Sequence, residues 1–348
     1  MAAFVSTPVV AYSTTAAWIT APAIGAGSFA WLEVGKSEGD VRVVASFRGD
    51  RLLVRAAGKN TPVVHEPCTT KPCNAVQGPV TEGDGSFAYA VAFPGTGGYV
   101  ANVTAAGVSN VVAEDQTDPR EITTPHLITT VGTTVVWVDD NIIYSASNAG
   151  GAAATLVTAE QAGGTITSVA ASAAGVAWAV KPATGGTALG FRDAAGAIST
   201  RVVEANSAVA TIYSVGLADD GTVVAIRRTL AKGRQQTALM AYGLDGVGRT
   251  LLKSATFGKR DPFEVTRPAV TGTRVAVRMR GGNGGANDEL WMVDLATGKS
   301  GRITSVPRAE ARLTDASFGG GRLVWAKDEV TSRGRLLRAR LYSAAVKF

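Results

Sequence analysis

Leu290-Trp-Met-Val-Asp-Leu-Ala-Thr-Gly-Lys-Ser-Gly-Arg-Ile-Thr304 reads as two short strands around a tight turn. The apolar run Leu290–Val293 stops at Asp294, and Thr297 and Gly298 supply turn chemistry before a second run ends in Ile303. Glycine adopts the positive φ that a tight hairpin turn demands, and Asp and Thr hydrogen-bond their own backbone there.

The same pattern recurs along the chain. FAWLEVGKSEGDVRVV begins at Phe29, GYVANVTAAGVSNVV at Gly98, IIYSASNAGGAAATLV at Ile142, ALGFRDAAGAISTRVV at Ala188 and ALMAYGLDGVGRTLL at Ala238. A seventh copy, RLLRARLYSAAVKF from Arg335, runs into the chain end. The first interval is 69 residues; later starts lie 44 to 52 residues apart. Each hairpin is preceded by a turn and a strand, centred on Trp18, Tyr89, Trp137, Trp178, Val224, Ala276 and Trp325. Upstream of that turn lies another apolar run, such as Pro8–Tyr12 or Ser168–Ala170. Each unit is thus four strands, with no sustained helical period. Four-stranded units repeating at about 45 residues predict an all-β fold, a seven-bladed β-propeller occupying 1–348 as one domain. The long first interval leaves six or eight blades open. The tryptophans are expected in the core between blades.

The seventh unit lacks a full outer hairpin. Residues near Phe4–Val5 are expected to supply its missing strand, closing the ring between the two termini and removing exposed sheet edges. Between Val44 and Gly78 about 30 residues exceed the repeat of about 45. They read as an inserted hairpin and Cys loop, 49–77, containing Arg51–Arg55 and Thr61–His65. Cys68 and Cys73 close a small loop stiffened by Pro67 and Pro72, and are expected to form a disulfide. Such a bond implies an oxidising compartment, extracellular or in the periplasm or cell envelope. Two free thiols are the alternative. A metal site with His65 lacks a fourth ligand.

Leu290–Lys299 followed by Gly301–Thr304 resembles the outer hairpin of TolB-like (WD40-like) propeller repeats. Leu217-Ala-Asp-Asp-Gly-Thr222 is similar to a degenerate form of the inner-strand turn that reads SPDG in that family. The α/β domain of TolB itself has no counterpart here, and the Trp-Asp and Gly-His dipeptides of eukaryotic WD40 repeats are missing. The resemblance implies the fold and a broad habit of binding proteins. It does not imply the TolB activity.

Composition narrows the chemistry. Gly is 41 of 348 residues, ample for turns, and the apolar content of 46% excludes a disordered chain. Two histidines, His65 and His126, leave little for His-based catalysis. There is no Gly-x-Ser-x-Gly elbow, no phosphate-binding Gly loop entering a helix and no sialidase Asp box, so no cofactor and no catalytic residue is assigned. Gly281–Asp288 is read as a flexible loop in preference to a calcium site. The stretch before Glu33 lacks the basic and Leu-rich regions of a secretory signal, and no transmembrane segment is visible. The expected reading is a mature chain whose leader has been replaced by an initiator Met.

Charge is uneven. Residues 1–200 carry 10 basic and 15 acidic groups, and residues 201–348 carry 24 and 13. In a propeller the segments leading into each innermost strand and the loops between strands two and three share one face. Here those segments hold Lys259, Arg260, Glu264 and Arg267, then Arg312 and Asp315. The loops hold Arg227, Arg228, Lys232 and Arg234, then Arg278 and Arg280. Such a cluster steers anions or an acidic protein. Nucleic acid is disfavoured, because Phe257 and Phe263 are the only aromatics placed to stack bases.

Three functions follow from these observations. The first is a non-enzymatic binding propeller, secreted or in the envelope, recognising a protein or an anionic glycan or wall polymer. The second is a carbohydrate- or lactone-active enzyme using His126, Glu264, Arg267, Arg312 and Asp315 at the channel mouth. The third is a structural subunit of an extracellular assembly.

Overall fold

The computed structural model describes residues 4–35, 51–66, 75–81, 84–93, 97–115, 128–205, 208–243, 245–258 and 266–347. Seven antiparallel sheets stand in a ring, and the chain is a seven-bladed β-propeller. Blade one is Ala17–Gly25, Ser28–Gly35, Arg51–Arg55 and Val63–His65. Blade two is Ala75–Thr81, Phe87–Phe93, Gly97–Val103 and Ser109–Asp115. Blade three is Ile128–Val131, Thr134–Asp139, Ile142–Ser147 and Ala154–Val157. Blade four is Thr165–Ser172, Gly175–Lys181, Thr187–Asp193 and Ile198–Glu204. Blade five is Ala210–Leu217, Val223–Ala231, Arg234–Tyr242 and Gly248–Lys253. Blade six is Ala269–Thr271, Arg274–Gly281, Asn287–Asp294 and Ser300–Pro307. Blade seven has a broken innermost strand, Ala311–Leu313 and Ser317–Gly319, then Arg322–Val330, Leu336–Ala345 and, outermost, Val9–Thr14.

Alternation along each strand sends apolar residues to both faces, because both faces of a blade meet a neighbouring blade. The core is accordingly a set of apolar seams between adjacent blades, seven among the described residues. Trp18 and Trp31 fill the seam between blades seven and one, Trp137 that between two and three, Trp178 that between three and four, and Trp325 that between six and seven. The tryptophans therefore bury the largest area per residue where the blades meet. A short α-helical turn, Ala159–Ala162, links blades three and four, with Thr158 and Gln161 capping each other's backbone N–H groups.

The ring closes through both termini, but not where the sequence suggested. Val9–Thr14 pairs antiparallel with Leu336–Ala345 as the missing outer strand of blade seven. Val5 contributes one bridge, to Val346. The apolar run Pro8–Tyr12 is therefore not the innermost strand of blade one; that role falls to Ala17–Gly25, which carries Trp18. Gly319 lies so close to the Ile24 carbonyl that a Cβ would overlap it, and this lets the innermost strands of blades seven and one touch.

The expected insertion at 49–77 also changes place. Arg51–Arg55 pairs with Ser28–Gly35, and Val63–His65 pairs with Arg51–Arg55, so both are strands three and four of blade one. Leu52, Leu53 and Val54 are buried, which requires a blade position and not a projecting arm. Cys68 and Cys73 lie outside the described residues. Among those described, no helix is long and apolar enough to cross a membrane.

Candidate functional site

Charged and polar side chains gather in two places: the loop face over blades five to seven, and the central channel. On the loop face the arginines divide sharply. Arg227 sits within the second strand of blade five, and its guanidinium holds both carboxylate oxygens of Glu204 on blade four. That hydrogen-bonded pairing raises the Arg227 pKa. Arg228 donates to the Tyr213 hydroxyl at 3.0 Å. Arg278 is a strand residue only 7% exposed; it donates to the Leu313 carbonyl at 2.8 Å and stands 3.4 Å from Asp315. These three are joints within or between blades, because their guanidinium groups are engaged by acceptors of the same or the next blade.

The exposed cations lie further out. Lys232 and Arg234 flank the tip between strands two and three of blade five, where Lys232 has φ 49° and Arg234 donates to the Thr256 carbonyl at 3.0 Å. Arg280 stacks on the Phe257 ring at 4.3 Å. Arg333 and Arg335 are exposed on the corresponding loop of blade seven. Among the described residues Lys232, Arg234, Arg333 and Arg335 take part in no ion pair. Arg333 and Arg335 are absent from the residues that the sequence singles out, and only their place on the strand two–three loop of blade seven brings them to this face. Lys259, Arg260, Glu264 and His126 lie outside the described residues.

The loop Gly281–Asp288 is not laid out for calcium. Asp288 accepts from the Arg308 guanidinium and from the Leu313 N–H, so its carboxylate is committed within the protein. Among the described residues no group of three His, Cys, Asp or Glu side chains could hold a metal ion.

The channel is built by the innermost strands of all seven blades around a cavity of about 240 Å³. Its wall is mostly Ala, Gly, Pro and Val, with hydroxyls from Thr129 and Ser317. Register shifts in the innermost strands of blades one, two, four and five bend them along this wall. One charged pair lines it, Arg267 and Asp315. Each precedes its Gly turn, at Gly272 and Gly320, by five residues, so both stand near mid-depth. Asp315 accepts the backbone N–H of Arg267 at 2.6 Å and faces Arg278 with its other oxygen. Burial lowers the Arg267 guanidinium to about 10, with Asp315 pulling it the other way, so it stays charged at neutral pH. Arg267 and Asp315, expected on the loop face or at the channel mouth, both line the channel. Arg312 is half-buried on the innermost strand of blade seven, beside them in the chain.

No protein-family model matches the chain, and no curated protein matches its sequence. Solved structures match it as propellers. YCF48 from Cyanidioschyzon merolae aligns over 98% of this chain and 98% of its own, with 11% identity and TM-score 0.50. An oligogalacturonate lyase from Vibrio parahaemolyticus aligns over 98% of this chain and 93% of its own, with 8% identity and TM-score 0.55. An ancestral GH74 enzyme aligns over 96% of this chain but 48% of its own, with 9% identity and TM-score 0.54. At these identities the likeness shows the fold alone, which serves enzymes and other proteins equally.

Proposed function

We propose that this chain is a binding propeller whose partner, an acidic protein or an anionic polymer, docks on the cationic loop face of blades five to seven. One observation carries the reading: the loops of blades five and seven end in Lys232, Arg234, Arg333 and Arg335, exposed and outside the ion pairs that consume the neighbouring arginines. Between them Arg280 stacks on Phe257. Loops are the part of a propeller free of packing duties, so recognition falls to them. A one-signed cluster there attracts polyanions and speeds their encounter. The TolB-like hairpin at Leu290–Lys299 fits a protein-binding role, and the Cys68/Cys73 spacing fits a secreted or envelope location.

The test is the charge-reversed set Lys232→Glu, Arg234→Glu, Arg333→Glu and Arg335→Glu. All four positions are exposed, so the fold survives. The wild type should bind immobilised poly-L-glutamate or alginate with steep salt dependence, and the reversed protein should not. Equal retention of both proteins, or none of either at low salt, removes the reading.

A further inference from the structure

The central channel holds a charge that no group among the described residues matches. Asp315 is spoken for: one oxygen takes the backbone N–H of Arg267 and the other faces Arg278. Arg278 spends its guanidinium on Asp315 and on the Leu313 carbonyl. Two guanidinium groups thus stand near one carboxylate, and only that of Arg278 is within ion-pair distance of it. Among the described residues the Arg267 guanidinium has no hydrogen-bond acceptor and no ion pair, and it borders the cavity of about 240 Å³. Arg267 is half-buried, and a cation partly withdrawn from water and left without a counter-charge favours an anion beside it.

We propose that the channel binds a small organic monocarboxylate, with its carboxylate on Arg267 and its body against the small apolar side chains of the wall. A guanidinium is a planar fork of donors that meets a carboxylate through two parallel bonds. Ala21, Val80, Ala171 and Ala316 from four blades are half-buried and give apolar surface around it, and Thr129 and Ser317 bring hydroxyls for a polar substituent. One net positive charge calls for one negative charge. A cavity of about 240 Å³ is of the size that takes a small organic molecule. The site is independent of the loop face, because none of Lys232, Arg234, Arg333 and Arg335 lines the channel.

The probe is trifluoroacetate, followed by ¹⁹F NMR on the full chain, with neutral trifluoroethanol as its uncharged counterpart. Trifluoroacetate should bind with a Kd of about 1 mM or tighter, within what so few atoms achieve. Acetate should displace it, and trifluoroethanol should bind at least tenfold more weakly. Arg267→Gln leaves the backbone N–H to Asp315 in place, so the blade stays intact, and it should weaken binding tenfold or more. Arg267→Lys should recover part of that loss. Ser317→Leu, at a half-buried lining position outside the core seams, narrows the cavity without touching the charge and should weaken binding too, which decides the matter even if Arg267→Gln folds poorly. The proposal falls if trifluoroacetate and trifluoroethanol bind alike or not at all. It also falls if a folded Arg267→Gln binds as the wild type does, or if inorganic phosphate binds and no carboxylate does.

Discussion

Arg227 on blade five grips Glu204 on blade four through two parallel hydrogen bonds, one of them the 3.2 Å contact to Oε2. The pair ties the second strand of one blade to the outermost strand of the previous one, so it is a joint. With the Arg227 side chain 31% exposed, water screens it in part. Arg227→Ala and Glu204→Ala should each cost about 1 kcal/mol, and the double variant little more than either alone. Urea unfolding of the four proteins measures this. Polyanion binding should be unchanged in all of them; its selective loss in Arg227→Ala would return Arg227 to the binding face.

Gly190 stands directly opposite Trp178 in blade four, and a Cβ there would lie inside the indole ring. The ring cannot step aside, since it is fully buried and donates from Nε1 to the Ala162 carbonyl at 3.3 Å. Gly190→Ala should destabilise by roughly 2–4 kcal/mol through overpacking. Adding Trp178→Phe should restore part of the loss. Thermal unfolding that leaves Gly190→Ala unchanged would mean that the seam between blades three and four is loose.

The hairpins were legible because both strands and the turn of each are neighbours in sequence; Leu290–Thr304 alone carries the whole signal. What joins distant segments was not. Val9 and Val10, each 54% exposed, are read equally well as a first or a last strand, since their partner on blade seven lies at the far end of the chain. Arg51–Arg55 reads as an insertion because a long connection precedes it, and spacing alone does not say which of two strands a connection separates. The arginines of blades five to seven were visible as charge. Their acceptors, Glu204 for Arg227 and Asp315 for Arg278, come from neighbouring blades, so the distinction between a joint and a free cation required the ring itself.

Asp328 lies on the seam between blades seven and one, 1% exposed. Burial holds its carboxyl well above the usual range, and the Ile19 N–H at 3.5 Å pulls the other way without prevailing. Its Oδ2 has no hydrogen-bond partner and no ion pair reaches it, although Arg312 is its cross-strand neighbour. A carboxyl raised in the fold binds a proton that the unfolded chain has released. Its contribution to stability is therefore complete below the unfolded pKa of about 3.9 and is lost as pH climbs toward the folded value. Asp328→Asn should abolish that decline, being more stable than the wild type at pH 8 and closer to it at pH 4. Parallel stability curves for the two proteins between pH 4 and 8 would show that Asp328 ionises freely.

Closure makes the last prediction. The strand Val9–Thr14 completes blade seven, yet it also grips blade one. Tyr12 lies 4.6 Å from the Trp31 ring and donates to Glu33 at 3.2 Å, and the Arg55 guanidinium donates to the Ala11 carbonyl. One strand therefore locks two blades at the point where the ring would open. Deleting residues 1–15 should remove that lock, strip cover from Trp31, and leave Leu336–Ala345 as an unpaired edge. The loss should be roughly 3–5 kcal/mol, counting the buried faces of Tyr12 and Ala11 with the ladder they sit on. An open edge with its N–H and C=O groups unpaired recruits other strands, so the truncated protein should also associate at concentrations where the full chain stays monodisperse by light scattering. A synthetic peptide of residues 4–15 added in trans should reverse both effects by refilling the edge. If the truncated chain instead unfolds at the wild-type temperature and does not associate, the ring is held by its inner strands alone and the terminal strand is an ornament on its rim.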